Sequence, residues 1–236
     1  MTDSRHMQEF WDARARENAL YFIDNTVDYT SPDADEFWAS GERSVDAILE
    51  LLGARIEGHE ELVEVGCGIG RITRALAARA KAVVAIDISA QMLEQAKEVN
   101  PGLDNVRWLH GEGTSLAGVD DASVDGLFSH VVFQHIPDPE VTYSYVRDMG
   151  RVLRPGGWAA FQVSNDPRVH RPRQPLRERL GAIVGRGPRG QSDPAWLGSA
   201  VDLDRLRAAA EGAGLGVEKI VGAGTQFCYV LLRRRS

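Results

Sequence analysis

Three glycines at alternate positions follow an apolar run in the sequence EVGCGIG, residues 64–70. A turn from a strand into a helix brings the backbone close to a ligand, and glycine offers the positive φ angles and the space that this approach needs. The dinucleotide fingerprint G-x-G-x-x-G requires glycine where Arg71 stands, and the P-loop sequence G-K-[ST] does not follow. The stretch therefore predicts a nucleotide-binding turn that differs from both of these motifs.

Strands and helices alternate around this turn, as the periodicity of the apolar residues indicates. Strands are predicted at 61–65, 82–86 and 105–110, within 123–133, and at 158–164, 216–221 and 226–232. Helices are predicted at 71–79, from the N-cap Ser89 to Val99, at 139–153 and at 203–213. The alternation predicts an α/β protein with a mainly parallel sheet covered by helices on both faces, in which ligands bind at the carboxyl ends of the strands.

The length of 236 residues fits one domain of ordinary size. We expect residues 1–55 to form an N-terminal helical cap and residues 56–164 to form the ligand-binding core. Residues 165–198 are interpreted as an insertion after the fifth strand, because they hold seven arginines and five of the ten prolines. Residues 199–236 are predicted to add a helix and the last two strands.

Charge and composition disfavour several classes of protein. The net charge of −7 argues against a nucleic-acid binder, which usually has a basic footprint. No apolar run approaches the ~20 residues that cross a bilayer, and the N-terminus lacks the apolar core of a signal peptide. Two cysteines are too few for a disulfide framework or a zinc site. We therefore expect a cytoplasmic monomer or homodimer with no membrane or nucleic-acid partner.

The motifs and their order resemble the class I S-adenosylmethionine-dependent methyltransferases of the small-molecule type, over roughly residues 45–232. The resemblance rests on EVGCGIG, on Asp87 at the end of the second strand, and on three later stretches: GEGTSL, FSHVVFQHIPD and RVLRPGGWAAF. It implies a single-domain, doubly wound, seven-stranded sheet whose last strand is antiparallel. It also implies S-adenosyl-L-methionine as the cofactor.

The resemblance assigns cofactor-binding roles to individual positions. Glu64 and the loop of Gly66, Gly68 and Gly70 are expected to receive the methionine end, together with the backbone at Ser129. Asp87 is expected to accept the two ribose hydroxyls, and Ile88 and Met92 to flank the adenine. Glu112 stands where the family usually has aspartate, so the adjacent Gly113 backbone is expected to share its contact with the adenine amino group. Alternatives stay open: Glu112 as a turn residue and Met92 as ordinary core.

Methyl transfer to a hydroxyl needs a base beside the acceptor, whereas an amine needs only its neutral form. The candidates are His130, just past the fourth strand, and His135 in QHIPD. The alternative for each is a histidine that hydrogen-bonds backbone at the turn. The sequence [DN]-P-P-[YF], which marks N-methylation of nucleic-acid bases or glutamine, is absent after the fourth strand, and no metal-binding cluster of carboxylates is evident.

Two segments are expected to build the acceptor pocket. Tyr21, Phe22 and Tyr29 belong to an aromatic-rich N-terminus and either close over the ligands or pack as core. In the insertion, Arg168, Arg171 and Arg173 are predicted to pair an anionic acceptor, with Trp196 as an apolar wall, unless this segment is simply a solvated loop.

The sequence thus predicts methylation of a small-molecule acceptor, anionic where the arginines of the insertion pair it, with oxygen as the methylated atom and specialised metabolism as the setting. The alternatives are N- or C-methylation of a small molecule, and a non-catalytic cofactor-binding domain.

Overall fold

The structure, a computed structural model, describes residues 4–171 and 188–236. Seven strands form one sheet in the order β3-β2-β1-β4-β5-β7-β6. The strands are β1 (Glu61–Val65), β2 (Ala82–Asp87), β3 (Val106–His110), β4 (Val124–Ser129), β5 (Leu153–Val163), β6 (Leu215–Val221) and β7 (Cys228–Arg234). Strand β7 runs antiparallel to both of its neighbours, and the other pairings are parallel. The predicted sheet, including its antiparallel last strand, is confirmed.

Helices cover both faces of the sheet. The helices are α1 (Ser4–Ile23), α2 (Ala34–Leu52), α3 (Arg71–Ala77), α4 (Ala90–Val99), α5 (Pro139–Val152), α6 (Pro194–Leu197) and α7 (Leu203–Gly212). One apolar core lies between the sheet and α5 and α7, and a second lies between the opposite face and α2, α3 and α4. Ser89 caps α4 as predicted, because its Oγ accepts a hydrogen bond from the Met92 amide. No helix of the described residues is long and apolar enough to span a membrane.

Strand β5 begins five residues earlier than the sequence predicted. The segment Pro155-Gly156-Gly157 was expected to separate helix from strand, yet Leu153 already pairs with Val124. Between this pair and the next, Gly126 with Trp158, the two strands advance by different numbers of residues. The glycines and proline therefore form an irregularity inside the sheet, which local propensity alone does not distinguish from a loop.

Helix α1 bends at Asn18, whose backbone is extended at φ −168°. The Asn18 side chain bridges the break, because its Oδ1 accepts from the Tyr21 amide at 3.2 Å and its Nδ2 donates to the Tyr29 carbonyl at 2.8 Å. The bend directs the final residues of α1, Phe22 and Ile23, toward the carboxyl ends of the strands, where both line cavities.

Candidate functional site

The strand order reverses between β1 and β4, which are hydrogen-bonded neighbours although two strands separate them in sequence. Ligands of doubly wound sheets bind outside the carboxyl ends of the strands at such a reversal. The glycine loop follows β1, Asp87 ends β2, and His130 follows β4. The predicted site residues from these three strands therefore meet at one edge of the sheet.

The glycine loop is held by the end of β2. Gly66 and Cys67 donate their amides to the Ile86 carbonyl, at 2.8 and 3.0 Å. Asp87 accepts the Gly68 amide on one carboxylate oxygen and the Ser89 amide on the other, each at 2.8 Å. Gly66 and Gly68 have φ angles of 75° and 53°, a region that side chains disfavour. Asp87 thus positions both the loop and the start of α4.

The first cavity lies over this loop. Seven of the predicted cofactor residues line it: Glu64, Gly66, Gly68, Asp87, Ile88, Met92 and Gly113. Its volume is about 120 Å³, less than the roughly 300 Å³ at which ligand pockets usually begin. Apolar side chains rest on the glycines: a Cβ at Gly66 would lie 2.2 Å from Val132, and one at Gly68 would lie 2.6 Å from Ile23. Val132 and Ile23 therefore occupy part of the space over the loop.

Glu64 is the buried acid of this cavity, with 2% of its surface exposed. Burial raises the pKa of its carboxyl to about 8, although the Thr73 hydroxyl donates to it at 2.5 Å and opposes the shift. The carboxyl is therefore mostly protonated at neutral pH, and a cation placed beside it would favour its ionised form.

Three of the predicted cofactor residues, all of them in the described part of the chain, do not line this cavity. Gly70 is the residue before α3 and has a φ of 94°. The Glu112 side chain is exposed and accepts hydrogen bonds from the hydroxyls of Thr114 and Ser115. Ser129 is buried, and its hydroxyl donates to the Val65 carbonyl at 2.9 Å, which ties β4 to β1.

A second cavity of about 590 Å³ adjoins the first and falls in the range of small-molecule pockets. It lies between the α1–α2 connection, the residues after β4 and the turn before β7. Six residues line both cavities: Phe22, Ile23, Arg71, His130, Val131 and His135. They form the junction, and two ligands placed in the two cavities would meet there.

His130 stands at the junction, and no other described residue forms a hydrogen bond with its ring nitrogens. Its Nδ1 is buried without a hydrogen-bond partner among the described residues, and its ring stacks on Tyr229 at 6.1 Å. Burial, together with the nearby Arg71, lowers the pKa of the imidazole to about 4. The ring is neutral at physiological pH and so has a lone pair with which to accept a proton.

His135, the other predicted base, is engaged on both ring nitrogens. Nδ1 lies 2.6 Å from the Trp196 carbonyl and donates to it, so Nε2 carries the lone pair of the neutral ring. That lone pair accepts the Gln134 side-chain amide at 3.2 Å. Burial lowers the pKa of His135 to about 4. In this arrangement His135 has no nitrogen available to a substrate proton.

A buried glutamine, Gln162 of β5, orients both the Gln134 side chain that meets His135 and the backbone at Val131. Its Oε1 accepts the Val131 amide and its Nε2 donates to the Gln226 carbonyl, so the amide orientation is fixed by backbone. The same Nε2 donates to Gln134 Oε1 at 2.9 Å, which turns the Gln134 NH₂ toward His135. Val131 has a φ of 59°, a left-handed conformation that is costly for a β-branched residue. The Gln162 contact helps to hold this backbone between the two histidines.

The predicted acceptor residues separate into two groups. Phe22 lines both cavities and Trp196 lines the second. Tyr21 and Tyr29 line neither and pack edge to face at 5.1 Å, with the Tyr29 hydroxyl donating to Glu17.

Of the three predicted arginines, Arg168 is bonded twice to Asp166, at 2.8 and 2.9 Å, with 72% of its side chain exposed. Arg171 is exposed and lines neither cavity described here. Arg173 lies outside the described residues.

Sequence reasoning missed Arg71, which lines both cavities although only 5% of its surface is exposed. In the sequence, Arg71 stands out only because the dinucleotide fingerprint has glycine at this position. A signal was available, because a cation in the first turn of a helix opposes the helix dipole and so needs another reason to be there. Trp11, Gln134 and Gln162 were missed as well, since their roles depend on contacts between distant segments.

One group of potential metal ligands occurs among the described residues, formed by Glu57, His59 and Glu60. It lines neither cavity, and the Glu60 carboxylate already accepts the amides of Glu57 and Gly58. The group therefore has no part in the site built above.

The chain is similar in sequence and in fold to known methyltransferases. A family model described as "Methyltransferase domain" matches residues 63–161. A ubiquinone biosynthesis O-methyltransferase of Nitrosospira multiformis is 28% identical over 172 residues, 72% of this chain and 67% of the relative. A tRNA 5-carboxymethoxyuridine methyltransferase of Escherichia coli is 31% identical over 126 residues, 52% of this chain and 46% of the relative.

Among solved structures, a phosphoethanolamine N-methyltransferase of Haemonchus contortus, in complex with phosphoethanolamine and S-adenosylhomocysteine, superposes with a TM-score of 0.69. The two proteins are 15% identical, and the match covers 98% of this chain and 49% of the other. At this identity the likeness concerns the fold. The chain thus spans about half to two thirds of the length of these three relatives.

Proposed function

We propose that this chain is a class I S-adenosylmethionine-dependent methyltransferase and that it transfers the methyl group to an oxygen atom of a small molecule bound in the second cavity. The observation that carries this proposal is the junction: one neutral histidine with uncommitted nitrogens, His130, faces both cavities. A hydroxyl acceptor needs a base at that position. The O-methyltransferase among the relatives supports the same choice, and we extend it to an acceptor from specialised metabolism.

The described residues fit the cofactor. Gly66 and Gly68 carry no side chain where Val132 and Ile23 approach the loop, Asp87 ends β2 with a carboxylate, and apolar Ile88 and Met92 line the same cavity. We assign Asp87 to the ribose hydroxyls, Ile88 and Met92 to the adenine, and Glu64 with the loop backbone to the methionine end. Bound S-adenosylmethionine supplies the electrophilic methyl group.

The chain's own residues then orient the acceptor and take its proton. Val131 and Gln162 hold the backbone that aims His130 at the junction. The neutral imidazole accepts the hydroxyl proton as the new oxygen–carbon bond forms, and the apolar side chains of Phe22 and Ile23 keep water from the reacting atoms. His135, bonded at both nitrogens, positions Trp196 against the second cavity.

The class of acceptor is tested with radiolabelled cofactor and a cell extract divided into a low-molecular-mass filtrate and an RNA fraction. We expect label in the filtrate, and a methoxy carbon in the purified product by NMR. Label in RNA would favour an acceptor like that named for the Escherichia coli relative. A methylated nitrogen or carbon would overturn the choice of oxygen.

The raised pKa of Glu64 leads to a prediction for cofactor binding. If the ammonium of the methionine end lies beside Glu64, binding favours the ionised carboxylate and releases a proton below the free pKa of about 8. The affinity for S-adenosylhomocysteine is therefore expected to rise with pH between 6 and 8 by up to about tenfold per unit and then to level off.

Calorimetric titrations of wild type and Glu64→Gln over this pH range measure the effect. The ligand's own titration is common to both proteins, so the difference between them isolates Glu64. Parallel pH profiles for the two proteins would show that Glu64 does not receive the ammonium.

A further inference from the structure

Arg71 is a buried cation, and three of its five N–H donors have no hydrogen-bond partner among the described residues. Its Nη1 donates to the hydroxyls of Ser40 and Ser44, at 3.1 and 3.3 Å, and lies 3.8 Å from an oxygen of Asp24. Nε has no partner among the described residues, and Nη2 makes no hydrogen bond with them either. A guanidinium that is 95% buried usually has its donors satisfied, because an unpaired buried donor is costly.

The side chains around Arg71 Nη1 belong to the second cavity, which Arg71 itself lines together with the first. Ser40, Ser44 and Asp24 all line the second cavity and do not line the first. The guanidinium is therefore anchored on the second-cavity side of the junction. The two uncommitted nitrogens form one edge of the guanidinium, the edge whose planar geometry matches a carboxylate.

We propose that Arg71 binds a carboxylate group at the junction, and that the methyl acceptor is a hydroxy-carboxylic acid whose carboxylate pairs with Arg71 while its hydroxyl faces His130. This inference rests on the function proposed above. The remaining wall of the cavity is rich in aromatic side chains, among them Trp196, Phe227 and Tyr229, and suits an aromatic body. The acceptor class is thus an aromatic hydroxy acid in its ionised form.

A bound carboxylate also helps the chemistry. Burial is the main cause that lowers the pKa of His130, and the positive charge of Arg71 adds to it while Asp24 opposes it. A carboxylate paired with Arg71 offsets that charge, so His130 becomes a stronger base once the acceptor is in place. A neutral analogue that filled the cavity would leave His130 a weak base.

The test uses matched pairs of probes: 2-, 3- and 4-hydroxybenzoate with the corresponding neutral hydroxybenzamides. The three positions of the hydroxyl vary its distance from the carboxylate. Binding to wild type in complex with S-adenosylhomocysteine is measured by ligand-observed NMR and calorimetry. We expect at least one acid to bind about tenfold or more tightly than its amide, the scale of one charge-assisted pair. Equal affinity for acid and amide in all three pairs would overturn the proposal.

Arg71→Gln is expected to bring the acid-to-amide ratio close to one and to leave the affinity for S-adenosylhomocysteine within about threefold, with Arg71→Lys intermediate. Arg79→Gln is the matched control, because Arg79 also joins the end of α3 to α2, through Asp46, and lines neither cavity. Arg168→Gln tests the insertion in the same way and is expected to keep the ratio. The ratio of acid to amide affinity is measured on wild type and needs no variant. The proposal can therefore be tested even if Arg71→Gln does not fold.

Three results would contradict the assignment and can be told apart. An unchanged ratio in folded Arg71→Gln removes Arg71 from acceptor binding, and a ratio lost in Arg168→Gln moves the carboxylate to the insertion. A large loss of S-adenosylhomocysteine affinity in Arg71→Gln shows that the carboxylate comes from the cofactor instead. Wild type that fails to bind S-adenosylhomocysteine at all would count against the proposed function itself.

Discussion

Replacing His130 by alanine is expected to lower kcat by about 100-fold or more, the scale on which a general base contributes, while the affinity for S-adenosylhomocysteine stays within about threefold. The reason is that His130 faces both cavities with a nitrogen that no described residue occupies. Single-turnover kinetics on the identified acceptor measure the effect on methyl transfer, and calorimetry measures the cofactor affinity.

His59→Ala serves as the control for removing an imidazole, since His59 is exposed and lines neither cavity. His135→Ala is expected to act through Trp196 and Gln134 and therefore to raise KM for the acceptor more than it lowers kcat. Wild-type turnover in His130→Ala would show that no proton is removed there and would favour an amine acceptor.

The pH profile gives an independent check on the same base. The pKa of His130 lies at about 4 because of burial and Arg71, well below the ordinary value of 6.5. The base is active when deprotonated. At saturating cofactor, where the pH dependence of cofactor binding does not contribute, kcat/KM for the acceptor is expected to stay level as pH falls from 8 to about 5 and to decline only as pH approaches 4. An acid limb near pH 6.5 would contradict a buried base.

Replacing Asp87 by alanine is expected to weaken binding of S-adenosylhomocysteine by about 10- to 150-fold, which corresponds to roughly 1.5–3 kcal/mol. Two effects combine. The proposed contact with the ribose hydroxyls is lost, and so are the bonds by which Asp87 holds the Gly68 amide and the Ser89 amide. Calorimetry on the folded variant measures the loss, and Asp87→Asn, which keeps one oxygen, is expected to be intermediate.

Asp12→Ala is the matched control for Asp87→Ala. Asp12 also accepts hydrogen bonds at the start of α4, from the Ser89 hydroxyl and the Gln91 amide, yet it does not line either cavity. A comparable loss of affinity in Asp12→Ala would assign the effect to α4 rather than to the ribose. Unchanged affinity in folded Asp87→Ala would remove Asp87 from the cofactor site.

The sequence by itself determined the class of fold and the place of the first cavity. Both depend on local patterns: apolar runs of strand length, capping residues such as Ser89, and glycines where a chain turns beneath a ligand. Asp87 could be recognised because its place at the end of β2 follows from counting along one strand. In a parallel sheet, residues at the ends of neighbouring strands come together without further information.

Only the tertiary structure decided which of the two histidines has a nitrogen to offer. His130 and His135 are equivalent candidates in the sequence, five residues apart. In the structure both ring nitrogens of His135 are bonded, to Trp196 and Gln134, whereas Nδ1 of His130 is buried without a partner among the described residues. Gln162, which orients Gln134, comes from β5. Hydrogen bonds between segments so far apart leave no period or spacing in the chain.

The same limit explains why neither Arg71 nor the second cavity could be identified from the sequence. The sequence predicts that the acceptor's charge partner lies in the insertion, because arginines are concentrated there. Charge density can be read from the sequence, whereas burial cannot. The cavity forms where α1, α2 and the residues after β4 pack together, and Arg71 meets Ser40 and Ser44 only across that packing. Local propensity placed the helices, but long-range packing determined which side chains face each other across the junction, since the energy of a buried contact depends on both partners.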